Sequence, residues 1–129
     1  SLWLVDVADG AASRIDTGGE QQAFAPSFSR DGRWLYYASD STGRWEIWRR
    51  EWPDGGPAEQ LTQGGGLAAQ ESRDGEHLYF VRPDRNGLWK RPREPGGDDV
   101  LVTPELNAAD WNNFYVTEDA IYFVARPDR

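Results

Sequence analysis

The side chains that could carry out catalysis are few in this chain, and their spacing does not favour an active site. The sequence has one histidine, His77, and no cysteine. It contains no Gly-x-Ser-x-Gly motif, and a single imidazole cannot build a zinc site of several histidines. His77 begins a stretch of alternating apolar residues, where a structural or surface role is expected. We therefore predict no catalytic residue and a protein that is not an enzyme.

The acidic side chains are the next candidates for chemistry, because paired carboxylates can transfer protons or bind calcium. The candidate carboxylates lie mainly in predicted turns: Asp31, Asp54, Asp74, Glu118 and Asp119. An aspartate in a turn accepts hydrogen bonds from the backbone of that turn. The sequence has no Asp-x-Asp-x-Asp-Gly loop of the calcium-binding kind. We predict no metal site and no cofactor.

Charge and hydropathy limit the partners. The chain carries 14 Lys and Arg against 22 Asp and Glu, a formal net charge of -8. Such a surface repels the phosphate backbone, so no nucleic acid partner is expected. No apolar run approaches the ~20 residues that span a bilayer. The composition predicts a soluble protein without a membrane partner.

Tryptophan and arginine provide the best candidates for recognition. Of the seven Trp residues, Trp3, Trp48 and Trp89 recur at one strand position and are expected to pack between structural units. Exposed Trp and Arg are frequent hot spots of protein interfaces. A candidate binding face therefore consists of Arg44, Trp45, Trp111 and Asn113. The alternative is that these side chains only cover the edges of the structural units.

An internal repeat positions all of these residues. Leu35, Leu78 and Ile121 lie 43 residues apart, and each begins an aliphatic-Tyr-aromatic triplet. A period of about 40–45 residues is typical of four-stranded propeller blades. Asp-Gly pairs at 31–32 and 74–75 precede two of the triplets and predict tight hairpins. Each unit is expected to contain strands A, B, C and D, with an Asp-Gly turn after A and a Gly-Gly turn after C.

The repeat resembles that of the TolB-like β-propellers, which are related in shape to the WD repeats. The resemblance is carried by Ser29-Arg30-Asp31-Gly32, Glu46-Ile47-Trp48 and Gln60-Leu61-Thr62. The later part, with Asp110-Trp111-Asn112-Asn113 and Ile121-Tyr122-Phe123, is most similar to propellers fused to bacterial winged-helix regulators. The family implies a propeller that binds proteins or ligands, in the bacterial cytoplasm or periplasm. Glu118-Asp119 departs from its Asp-Gly pair, which predicts a longer or different hairpin there.

The repeat frame is permuted, so that the chain starts at strand C and ends at strand B. Leu2-Trp3 aligns with Ile47-Trp48, and the last strand aligns with strand B. The expected organisation is one all-β propeller segment, 1–129. It comprises strands C and D of a closing blade (1–17), two complete blades (18–63 and 64–106) and strands A and B of the closing blade (107–129).

Three blades leave unpaired edges, whereas closed propellers have about four to eight blades. We therefore expect self-association into a six-bladed homodimer with twofold symmetry; a trimeric, nine-bladed ring is less favoured. The ring would offer its channel or loop face to a protein or small ligand. The chain could be a natural half-propeller or an excised or engineered fragment. The alternatives are the sensing propeller of a winged-helix regulator and the non-catalytic propeller of a prolyl-oligopeptidase-type peptidase.

Overall fold

The computed structural model describes residues 2–15, 23–53 and 55–124. These residues form twelve strands: β1 (Leu2–Val5), β2 (Ala12–Ile15), β3 (Ala23–Phe28), β4 (Trp34–Ser39), β5 (Glu46–Glu51), β6 (Glu59–Gln60), β7 (Leu67–Glu71), β8 (His77–Arg82), β9 (Arg85–Pro92), β10 (Val100–Thr103), β11 (Phe114–Val116) and β12 (Ile121–Phe123). A 3-10 turn at Ala108–Asp110, which the sequence did not predict, precedes β11. No helix in these ranges is long and apolar enough to cross a membrane.

The strands form two complete sheets and two half-sheets, all antiparallel. Strands β3–β6 make blade 1 and strands β7–β10 make blade 2, each with neighbours in chain order. Strands β1 and β2 form the N-terminal half-blade, and β11 and β12 form the C-terminal half-blade. The half-blades correspond to strands C–D and A–B, respectively. The predicted propeller architecture and its permuted frame are confirmed.

Strand B of a complete blade is apolar on both faces because a neighbouring sheet packs against each one. In β4, Leu35 and Tyr37 pack against the N-terminal half-blade, whereas Tyr36 packs against blade 2. The two faces of this strand thus join three sheets in series. The same alternation in β12 leaves Tyr122 exposed, with only one neighbouring sheet in the described chain.

The predicted Asp-Gly turns close the A–B hairpins of both complete blades. Gly32 and Gly75 have φ values of 73° and 75°, a conformation that costs glycine little. The C-terminal half-blade differs, and its hairpin is shorter rather than longer. The Thr117 amide donates to the Ala120 carbonyl at 2.8 Å, and the Thr117 hydroxyl donates to the same oxygen at 2.9 Å.

Strand A is bulged at the same repeat position in both complete blades. Ala25 and Ala68 adopt left-handed φ values of 54° and 57°, and the strand register shifts at both places. A bulge bends its strand and increases the local twist.

Some predictions lie outside the described residues. They include Asp54 and the end of the segment 107–129 that is predicted to form strands A and B of the closing blade, since residues 125–129 are not described. Residues 16–22, which contain the boundary between the first half-blade and blade 1, are outside as well. The domain boundaries therefore stay predictions.

Candidate binding face and blade interfaces

Among the core clusters of the described residues, the cluster between blades 1 and 2 has the least exposed side chains. It contains residues from both blades: Tyr36, Ile47, Leu61, Ala69, Leu78 and Phe80. The half-buried indole of Trp89 packs against this cluster, and that of Trp48 packs against the cluster between blade 1 and the N-terminal half-blade. The prediction that these two tryptophans pack between blades is therefore confirmed.

Trp3 does not follow its two repeat equivalents. Its side chain is 60% exposed, which makes the prediction of a buried Trp3 wrong for the single chain. Strand C places this indole on the side of the sheet that faces the preceding blade. Among the described residues no sheet lies on that side of the N-terminal half-blade. The exposure thus has a simple cause, since the neighbour that buries Trp48 and Trp89 is absent for Trp3.

A buried hydrogen bond crosses the interface between blades 1 and 2, here called the complete interface. The Tyr36 hydroxyl donates to Glu71 Oε2 at 2.8 Å, and the other carboxylate oxygen accepts from the Arg30 amide at 2.7 Å. Burial, followed by the hydrogen bond to Glu71, raises the pKa of Tyr36 above its ordinary value. The hydroxyl therefore remains protonated and acts as the donor. This arrangement fixes the relative position of strands B and A in adjacent blades.

A second polar network anchors the outer strands of blade 2. Asp99 accepts from Arg82 at 2.8 Å and from Arg91 at 3.2 Å, and both arginines are buried. Arg91 also donates to the carbonyl of Leu61 in the loop after blade 1. Burial lowers the pKa of Arg91, and the charge of Asp99 opposes that effect. The carboxylate thereby compensates two buried cations.

A large cavity lies between blade 2 and the C-terminal half-blade. Its volume is about 670 Å³. Its apolar wall contains Tyr79, Leu88, Val102, Ile121 and Phe123. Polar residues of the two A–B hairpins, among them Asp74 and Glu118, line one end. We call this space the closing cavity, because it is flanked by only two strands of the third blade.

The predicted binding residues lie at the end of the sheets that carries the B–C and D–A connections, here called the loop face. Trp45 and Trp111 converge on the half-buried ring of Phe24, with centroid distances of 4.5 and 5.2 Å in edge-on geometry. Arg44 is exposed and donates to the Gln63 carbonyl at 3.2 Å. Asn113 is exposed as well. The structure thus brings the two tryptophans together through Phe24.

Sequence reasoning missed Phe24 as the centre of this cluster. Phe24 precedes the bulge at Ala25, so strand alternation could not indicate where its ring points. Trp45 and Trp111 are half-buried, and all three rings pack against a core cluster that includes residues of blade 1, blade 2 and the C-terminal half-blade. Part of their surface therefore has a structural role. Their role in binding stays a prediction.

The acidic turns have the geometry expected of self-capped hairpins. The Ser29 hydroxyl donates to Asp31 at 2.6 Å, and the Ser72 hydroxyl donates to Asp74 at 2.5 Å. These bonds, followed by those from the backbone amides of Arg33 and Glu76, lower the pKa of both aspartates. In the part of the chain that is described, no three His, Asp or Glu side chains are grouped as metal ligands. His77 lies half-buried at the start of β8, opposite Pro92.

Comparison with known proteins finds similarity both in sequence and in structure. An uncharacterized protein of Agrobacterium fabrum is 33% identical over 114 residues, which cover 87% of this chain and 36% of that protein. A solved structure described as TolB, from Agrobacterium tumefaciens, is 26% identical with a TM-score of 0.69 and covers 81% of this chain and 41% of that one. No family model matches the sequence.

Two further structures are similar in fold alone. TolB from Acinetobacter baumannii has 20% identity and a TM-score of 0.63, covering 79% of this chain and 26% of that one. An oligogalacturonate lyase from Vibrio parahaemolyticus has 20% identity and a TM-score of 0.52, covering 81% and 30%. The chain has the TolB-like propeller fold. It spans about a third of the length of the curated relative that it matches.

Proposed function

We propose that the chain is a non-catalytic binding module that assembles with a second copy into a six-bladed ring. One observation carries the proposal: side chains that are buried between blades 1 and 2 have exposed repeat equivalents on the half-blades. Tyr36 is fully buried, whereas Tyr122 is 65% exposed. The two half-blades together hold one set of strands A, B, C and D. A twofold ring would complete two such blades with identical interfaces.

The loop face is the part of this ring that we propose for binding a protein partner. Its exposed Arg44 and Asn113 flank the aromatic cluster of Phe24, Trp45 and Trp111. Partly exposed aromatic rings beside an arginine are favoured in the hot spots of protein interfaces. The similarity to TolB structures supports a binding propeller. The lyase is 20% identical, which carries no catalytic role to this chain.

A ring completed within one longer chain is the second candidate, and the relatives favour it. This chain spans 36% of the Agrobacterium fabrum protein, so one such protein could supply all the blades. A fusion to a winged-helix regulator belongs to the same candidate. Flanking sequence tests it, since a winged helix before the propeller would support the fusion. The compartment, bacterial cytoplasm or periplasm, stays a prediction.

Light scattering on the purified chain after size-exclusion chromatography tests the assembly. A six-bladed homodimer has twice the chain mass of 14.6 kDa. A single folded species at that mass over a wide concentration range supports the proposal. A folded monomer would contradict self-assembly and favour completion within a longer chain. A trimer would replace the six-bladed ring by a nine-bladed one.

A further inference from the structure

We infer that the closing cavity is the seat for Trp3 of a second copy, whose strand β1 adds to the edge of β12. The inference rests on the proposed six-bladed ring and assigns its contacts residue by residue. Three observations carry it. The repeat predicts which side chain fills the cavity, and the strand register predicts how β1 pairs with β12. In addition, two other exposed aromatic residues would meet in the same propeller ring.

The first observation is the lining of the cavity. In the complete interface, Trp89 packs against a cluster that includes Tyr36, Ile47, Leu61, Leu78 and Phe80. One repeat further along the chain, the corresponding positions are Tyr79, Leu88, Val102, Ile121 and Phe123. All five of these residues line the closing cavity. The closing cavity is therefore lined by the same kinds of side chain as the cluster that packs against Trp89. The repeat predicts that an indole fills this cavity as well.

The second observation is the strand register. In blade 1, Tyr37 pairs with Trp48, and in blade 2, Phe80 pairs with Trp89. The equivalent residue of β12 is Phe123, whose described pairing is with Phe114 on the opposite side. The same register places Trp3 of the partner subunit opposite Phe123. It also places Val5 of the partner subunit opposite Ile121.

The third observation concerns the other side of β12. Tyr36 donates to Glu71 of the next blade. In blade 1, the position equivalent to Glu71 is occupied by Phe28, because Glu71 pairs with Leu78 and Phe28 pairs with the equivalent Leu35. Phe28 is 38% exposed. In the closed ring, Tyr122 would meet Phe28 of the partner subunit. Aromatic pairs of this kind contribute beyond the area they bury.

The occupant is thus a second copy of this chain rather than an unrelated ligand. Trp3 is among the most exposed large apolar side chains of the described residues. Packing it into the cavity would remove both an exposed indole and an apolar void. Each twofold ring contains the contact twice. Loss of the indole should therefore weaken the dimer strongly without disturbing the fold of one chain.

The experiment compares Trp3→Ala with Val7→Ala, a matched removal of a fully exposed apolar side chain outside the predicted contact. Sedimentation equilibrium gives the dimer dissociation constant, and circular dichroism monitors the fold. Trp3→Ala is expected to raise that constant about 100-fold or more, since hot-spot tryptophans have effects of this order. Val7→Ala should change it less than about 3-fold. Val102→Trp, which fills the cavity from the edge strand β10, should also dissociate the dimer.

Engineered cysteines test the register, and the unsubstituted chain has no cysteine to interfere. Under mild oxidation, the double variant Val5→Cys, Ile121→Cys should form a disulfide-linked dimer. Its control, Val7→Cys with Ile121→Cys, should remain largely unlinked. If the unsubstituted chain is dimeric and its dissociation constant is insensitive to Trp3→Ala and Val102→Trp, the inference is overturned and the six-bladed ring is retained. If the unsubstituted chain is monomeric, both are overturned.

Discussion

Tyr36 in blade 1 and Tyr122 in the C-terminal half-blade occupy the same repeat position, and their surroundings differ. Tyr36 is buried and donates a hydrogen bond to Glu71, whereas the ring of Tyr122 is largely exposed. The strands that carry them have the same aliphatic-Tyr-aromatic pattern. Burial in a propeller is therefore determined by the neighbouring sheet rather than by the blade itself. An exposed aromatic residue at such a position indicates an interface that is not yet filled.

The polar groups of the two regions differ as well. The complete interface contains a buried acid, Glu71, where the structural equivalents are Val116 in the C-terminal half-blade and Phe28 in blade 1. A buried acid needs a specific donor to compensate its desolvation, and Tyr36 supplies one. Val116 is buried in an apolar cluster, whereas Phe28 and Tyr122 are exposed aromatic residues. Burial of apolar surface, which needs no such pairing, is the main driving force of most protein association, so these exposed rings fit the proposed contact between two copies of the chain.

The largest expected effect separates the two regions at one repeat position. Phe80→Ala removes a fully buried ring from the complete interface and should lower the free energy of unfolding by about 3–5 kcal/mol. Phe123→Ala removes the equivalent ring beside the closing cavity. In the Trp3→Ala background, the six-bladed propeller is expected to be open. Phe123→Ala should then lower the free energy of unfolding by less than half as much as Phe80→Ala does. Urea unfolding followed by tryptophan fluorescence measures both. Equal costs in that background would mean that the C-terminal half-blade is already fully packed.

The second effect tests the charges that hold the outer strands of blade 2. Asp99→Ala leaves the buried Arg82 and Arg91 without their common carboxylate and should cost about 3 kcal/mol. Asp98→Ala is the matched control, since this neighbouring carboxylate is exposed. It should change the free energy of unfolding by less than about 0.5 kcal/mol. Similar losses of unfolding free energy for the two variants would show that the pairing of Asp99 with the two arginines does not stabilise blade 2.

The third effect isolates one hydroxyl. Tyr36→Phe removes the donor to Glu71 and should cost about 1–3 kcal/mol, because the carboxylate stays buried with fewer partners. Tyr122→Phe makes the same chemical change on an exposed ring and should be neutral within about 0.5 kcal/mol. Chemical unfolding of the two variants provides the comparison. If Tyr36→Phe leaves the free energy of unfolding unchanged, the hydrogen bond to Glu71 is no more favourable than the hydrogen bonds that these groups make with water in the unfolded chain.

The sequence was sufficient to predict the blades and their permuted frame, because a 43-residue period and strand alternation both reflect packing against neighbouring sheets. It also located Trp45 and Trp111, which the structure brings together. The bulges at Ala25 and Ala68 were not predicted, since a left-handed alanine has no sequence signal comparable to that of glycine. The pairing of Asp99 with two arginines depends on loops that converge only in three dimensions. The prediction that Trp3 packs between blades was wrong for the single chain, because the repeat pattern predicts a neighbouring sheet that the described residues do not contain.

The smallest effect concerns the A–B hairpins of the two regions. Asp31 and Asp74 accept hydrogen bonds from Ser29 and Ser72, which lower the pKa of both carboxyls below the value in the unfolded chain. Their ionised forms therefore stabilise the fold above about pH 4, and this contribution disappears as the pH falls through the folded pKa. Asp31→Asn and Asp74→Asn should each lower Tm slightly at pH 7 and have no effect near pH 2. The C-terminal hairpin is closed by Thr117 instead, so Asp119→Asn should leave Tm unchanged at pH 7. Thermal unfolding across this range checks the pattern, and a pH-independent loss for the first two variants would show that their carboxylate charge does not stabilise the turns.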